Sequence, residues 1–108
     1  MPKLGEIGLR YSRYDGKIAD IKENNTNKHY LDLSDYVPEK CVAIVIVRVK
    51  MSGSGHLKCY PNEETNTVVQ LDDGRLEFVP ITNRRMQYSQ SVANDDFDVY
   101  LYGYYTQG

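Results

Sequence analysis

The chain reads as an all-β protein, an antiparallel β-sandwich of jelly-roll-like type with an irregular N-terminal arm. Three observations lead there. Short runs rich in Val, Ile, Leu and Tyr alternate apolar and polar residues, the period of a strand with one covered face. Clusters of Gly, Pro, Asn and Asp separate those runs at close intervals. No segment keeps a helical period for more than a turn or two. The 108 residues suit one domain, large enough for a core without staples. The expected layout is an arm with loops over residues 1–28 and the sandwich over residues 29–108.

The opening segment holds Gly5, Gly8 and Gly16, the polar cluster "ENNTNK", and only short apolar pairs. It predicts long loops with one short strand, "KIADI". Six basic residues against four acidic ones give it a charge of +2, leaving −4 for the remainder. Arms of this kind order mainly by packing on a partner.

"HYLDL" predicts the next strand, with Leu31 and Leu33 on one face. "SDYVPEK" ends it, because Pro38 cannot donate to a ladder and holds Val37 extended. "VAIVIVRVKM" is the strongest strand. Ala43, Val45, Val47, Val49 and Met51 share one face; Ile44, Ile46, Arg48 and Lys50 share the other, so its first half is covered on both sides. "SGSG" predicts a hairpin into "HLKCY", with Leu57 and Cys59 inward. "TVVQL", the turn "DDG" and "RLEFVPIT" predict a second hairpin, with Gly74 able to take positive φ. "MQYS" is a short strand, "QSVANDD" a loop. The closing strand "DFDVYLYGYYTQG" puts Phe97, Val99 and Leu101 on one face and Asp98, Tyr100, Tyr102 and Tyr104 on the other.

Bulk composition narrows the function. An apolar fraction of 41% with 26% charged residues is that of a soluble globular protein. A net charge of −2 argues against general nucleic-acid binding, which needs a basic footprint. No run approaches the roughly 18–20 apolar residues of a membrane span, and the first residues lack the apolar region of a secretory signal. The expectation is therefore synthesis in the cytoplasm, with the sequon at Asn24 a chance match. If the hairpin before His56 forms, Cys59 lies opposite about residue 48, too far from Cys41 for a disulfide. Two free, buried thiols are expected, which fits a reducing compartment.

The sequence supplies no catalytic constellation. His29 and His56 stand at no metal-ligand spacing, so no metal or cofactor is expected. Cys41 reads as a strand-entry core thiol, not a nucleophile. The oxygen-rich loop of Asn94, Asp95, Asp96 and Asp98 lacks the ordered spacing of a calcium loop. Arg84 and Arg85 form the concentrated positive spot. A solvated loop is the plainer reading; pairing with an acidic neighbour, a phosphate or a sulfate is the sharper one.

Three stretches, "LDLSDYVPEKCVAIVIVRV", "SGSGHLKCYPNE" and "FDVYLYGYY", resemble small β-sandwich modules in virion proteins of tailed bacteriophages and in repeats on bacterial surface proteins. Val37-Pro38, Gly53 and Gly55, Leu57 to Pro61, and Gly103-Tyr104-Tyr105 carry the likeness, over residues 31–61 and 97–105. The resemblance implies a non-enzymatic virion component: capsid decoration, or a tail or fibre part. Such a protein is made in the host cytoplasm and assembles with copies of itself (a trimer among the options) and with other virion proteins.

Of ten tyrosines, Tyr100, Tyr102, Tyr104 and Tyr105 crowd the last strand. They could stack on a glycan, lie under the arm through Tyr11 and Tyr14, or form an interface. Glycan platforms favour Trp, which the chain lacks. Tyr and Arg are enriched at interface hot spots, and a bare aromatic stripe is a liability. The expected function is protein–protein assembly; the competing class is a carbohydrate-binding module using Tyr100, Tyr102 and Tyr104.

Overall fold

The structure, a computed structural model, describes residues 9–52, 55–64, 66–72 and 75–107, with the backbone alone over 45–52. Eight strands form among the described residues: β1 (Leu9–Ile21), β2 (His29–Asp32), β3 (Cys41–Ser52), β4 (Leu57–Tyr60), β5 (Val69–Leu71), β6 (Glu77–Pro80), β7 (Arg85–Gln90) and β8 (Asp96–Gln107). Among the described residues the helical content is a 3₁₀ turn at Pro61–Glu63.

The strands make two four-stranded antiparallel sheets, β1-β8-β3-β6 and β2-β7-β4-β5. Four ladders pair β1 with β8, β2 with β7, β3 with β6 and β4 with β5. This is a ribbon of nested pairs, wrapped so that alternate pairs fall in opposite sheets. The β3–β8 and β4–β7 ladders complete each sheet. Such wrapping is the jelly roll, so the expected fold class holds.

Both expected hairpins give way to crossings between sheets. β3 lies in the first sheet and β4 in the second; β5 lies in the second and β6 in the first. Residues 53–54 and 73–74, including the expected positive φ of Gly74, lie outside the described residues.

The N-terminal reading changes too. Where one short strand was expected, β1 runs for 13 residues and pairs with β8 from Leu9 to Ile21. Its alternation is weak because it is an edge strand and because register shifts fall between Arg13 and Gly16 and between Lys17 and Ala19. Residues 1–8 lie outside the described residues.

The core fills the gap between sheets. Phe97, Val99 and Leu101 of β8 are fully covered, as are Leu57 and Cys59 of β4, Leu33, Ile44 and Val79. The inward parities of β4 and of β8 from Phe97 to Leu101 are therefore those the sequence predicts. Leu31 packs against the same cluster, as expected from its spacing with Leu33. The expected face assignments from Val45 to Met51 concern side chains outside the described residues.

Both cysteines are free and buried, and burial pushes both thiols above their ordinary range. One polar residue organises the end of the sandwich. Gln90, 1% exposed, accepts from the Glu23 backbone N–H and donates to the carbonyls of Val92 and Asp95. Beside it the Tyr88 hydroxyl donates to Glu23 Oε1 at 2.8 Å, and burial followed by that carboxylate raises its pKa.

Candidate functional site

The outward face of the first sheet carries an aromatic cluster. A register shift against β3 between Gly103 and Leu101 leaves Tyr102 as an extra residue in β8. One inserted residue inverts the facing of all that follow. Before it, Phe97, Val99 and Leu101 point inward. After it, Tyr104 opposes the fully buried Ile44 and packs against the core cluster, while Tyr105 turns outward opposite Ala43. The expected row of Tyr100, Tyr102 and Tyr104 is thus broken: Tyr104 leaves the outer face and Tyr105 joins it.

Tyr11 of β1 completes the cluster. Its ring centroid lies 5.1 Å from that of Tyr105 and 6.3 Å from that of Tyr102. Phe78 of β6 meets Tyr105 at 5.6 Å. These are the tilted contacts that ring quadrupoles favour. The Arg13 guanidinium stands 5.8 Å from the Tyr102 centroid, within cation–π range. Gly103 makes the arrangement sterically feasible, because a Cβ there would overlap the Tyr11 ring. Leu9, two residues before Tyr11 in unbroken register, shares the face.

Tyr11, Tyr102, Phe78 and Leu9 remain 38–51% exposed. Four of the eight large exposed apolar side chains among the described residues therefore stand on one sheet face. Tyr100, at the outward position opposite Lys17, is half-buried along the same strand. Lys17 binds both Asp20 and Asp98, so the aromatic area grades into a charged end.

The other expected residues lie elsewhere. Tyr14 packs against the core and meets Tyr36 edge-on at 6.0 Å. Tyr11 and Tyr14 are thus separated by the two faces of β1. Arg84 and Arg85 belong to the second sheet, at the turn into β7 and its first residue. Arg85 donates to Glu63 Oε1 at 2.6 Å and stacks over the Tyr30 ring at 4.0 Å.

Phe78 is the member that sequence reasoning missed. Its signal was available: in "LEFVPI" Val79 takes the inward parity, which leaves a phenylalanine at an outward position. Among the described residues no group of three or more His, Cys, Asp or Glu side chains is placed to hold a metal ion. No helix among them is long and apolar enough to cross a membrane. No family model matches the chain, and no curated protein or solved structure matches it.

Proposed function

We propose that the chain is a non-enzymatic structural protein that works by protein–protein assembly through the outward face of the first sheet. Its copies bind one another and neighbouring virion proteins, as a capsid decoration or a tail or fibre component of a tailed bacteriophage. The observation that carries the reading is the cluster of Tyr11, Tyr102, Tyr105 and Phe78 across β1, β8 and β6, of which Tyr11, Tyr102 and Phe78 are exposed. The jelly-roll wrapping supports it, since capsid domains recur on that fold, though fold alone assigns no function. So does the resemblance carried by Val37-Pro38, Leu57 to Pro61 and Gly103 to Tyr105.

Magnitude favours an interface. A fully covered tyrosine or phenylalanine buries about 150–250 Å². Tyr11, Tyr102, Phe78 and Leu9, each about half exposed, would together remove roughly 300 Å² per copy from water. That is over a third of one side of a standard interface, about 800 Å², in the residue types that hot spots favour.

Sedimentation of the purified chain tests this. The wild type should run as a multimer, and Tyr102→Ala should shift it toward monomer with its circular dichroism unchanged. A wild type monomeric at every concentration reached, or a Tyr102→Ala chain that unfolds, defeats the reading.

A further inference from the structure

The second sheet carries a different outward face. Its register aligns Tyr30, Gln87 and Tyr60 in one row across β2, β7 and β4. Strands lie about 4.8 Å apart, so the two tyrosines flank the glutamine at a separation close to 10 Å. A cation stands over each ring: Arg85 over Tyr30 at 4.0 Å and Lys28 over Tyr60 at 4.7 Å. The Tyr60 hydroxyl bonds Ser89 Oγ at 2.7 Å. Tyr30 remains 50% exposed.

One feature of this face is not explained by folding. Gln87 is 8% exposed, its amide nitrogen makes only a long bond of 3.4 Å to the Tyr30 hydroxyl, and its Oε1 has no partner. Buried amides are normally satisfied. Arg84, at φ = 52° beside Asn83 at 59°, is by contrast a central residue of the tight turn that the Arg85 N–H closes on the Thr82 carbonyl, a conformation glycine takes without the steric cost an arginine meets.

Charge gives the ligand's sign. Lys28, Lys58, Arg84 and Arg85 sit on this face or its rim against Asp32 and Glu63, an excess of two positive charges on a chain of net charge −2. The exposed Tyr30 ring, the unpartnered Gln87 oxygen and the cations together match a sugar bearing anionic groups: C–H faces for the ring, a hydroxyl for the Gln87 oxygen, and a carboxylate or sulfate for the cations.

We infer that the outward face of β2-β7-β4 is a binding surface for an anionic carbohydrate, with Tyr30 as the stacking platform, Gln87 as the hydroxyl reader, and Arg84, Arg85 and Lys28 as the anion contacts. The site is independent of the aromatic face of the first sheet.

The test is titration of the full chain, followed by amide NMR, with four probes: a tetragalacturonate, a heparin-derived sulfated tetrasaccharide, a neutral maltotetraose and inorganic sulfate. At least one anionic oligosaccharide should shift the Tyr30, Gln87 and Ser89 resonances, and the pair separates a carboxylate from a sulfate source. Binding should fall at least tenfold in Tyr30→Ala and in Arg84→Gly, and stay unchanged in Tyr102→Ala. Arg84→Gly relieves backbone strain, so its loss of binding is not a loss of folding. Binding by neither anionic oligosaccharide, equal affinity for maltotetraose, equal affinity for inorganic sulfate, or indifference to both variants overturns the inference.

Discussion

On the outside of the first sheet Tyr11, Tyr102, Tyr105 and Phe78 meet ring against ring, whereas on the outside of the second sheet the rings of Tyr30 and Tyr60 are each held by a cation and a polar partner. The supporting strands differ as well. β1, β3 and β8 run 12 or 13 residues, while no strand of the second sheet exceeds six. A long sheet offers area and an apolar patch that gains by being covered. A short sheet with paired polar groups offers directional contacts that a hydrated ligand can replace. The same inward core therefore carries two outward surfaces with different chemistry, one suited to a protein partner and one to a polar molecule.

The largest expected effect separates inside from outside on one strand. Phe97→Ala should cost about 3–5 kcal/mol through cavity formation, and Tyr102→Ala about 1 kcal/mol or less, both read by urea unfolding. Equal costs would make the aromatic cluster core and erase the contrast between the two faces.

Next comes Gly103→Ala. The new methyl must push the far end of the exposed Tyr11 ring outward, so a loss of about 1 kcal/mol is expected, with a weaker near-ultraviolet dichroism signal from the tyrosine cluster. A variant as stable as the parent would mean that Tyr11 does not rest on β8. No equivalent close approach supports the described face of the second sheet.

A smaller effect characterises the polar side. A double-mutant cycle between Arg85 and Glu63 should give a coupling of about 0.5–1 kcal/mol, because Arg85 is 40% exposed and water screens the pair. A coupling near zero would leave Arg85 free for a ligand alone.

The smallest is a pH effect at the rim of the second sheet. The backbone N–H of Ser34 donates to Asp32 Oδ1 at 2.9 Å and holds that carboxyl below its usual range, with the nearby Arg84 adding to the shift. A depressed folded pKa means stability present above the unfolded value and lost as pH falls through the folded one. Asp32→Asn should flatten that acid limb slightly in thermal melts at successive pH values; an unchanged limb would place the effect elsewhere.

Much of this was legible in the residues. Leu57 and Cys59, and Phe97, Val99 and Leu101, lie inward as their alternation predicts, and the two thiols are free and buried. Tyr104 was not legible as a core contact, because the extra residue at Tyr102 exists only relative to β3. The strand at Leu9–Ile21 was obscured in the same way: its two irregularities interrupt the period that would have revealed it. The row of Tyr30, Gln87 and Tyr60 draws on three separate segments and has no signature along the chain.

What the sequence determined by itself is the all-β class, the position of most strands and the inward parity of those without irregularities, because alternation follows from covalent geometry two residues at a time. Which strands pair, that β3 to β4 and β5 to β6 cross between sheets, and which tyrosines share a surface were decided only by the tertiary structure. Those choices depend on ladders between residues up to about a hundred positions apart, as between Leu9 and Gln107, and the facing of a side chain past a bulge is defined by the neighbouring strand.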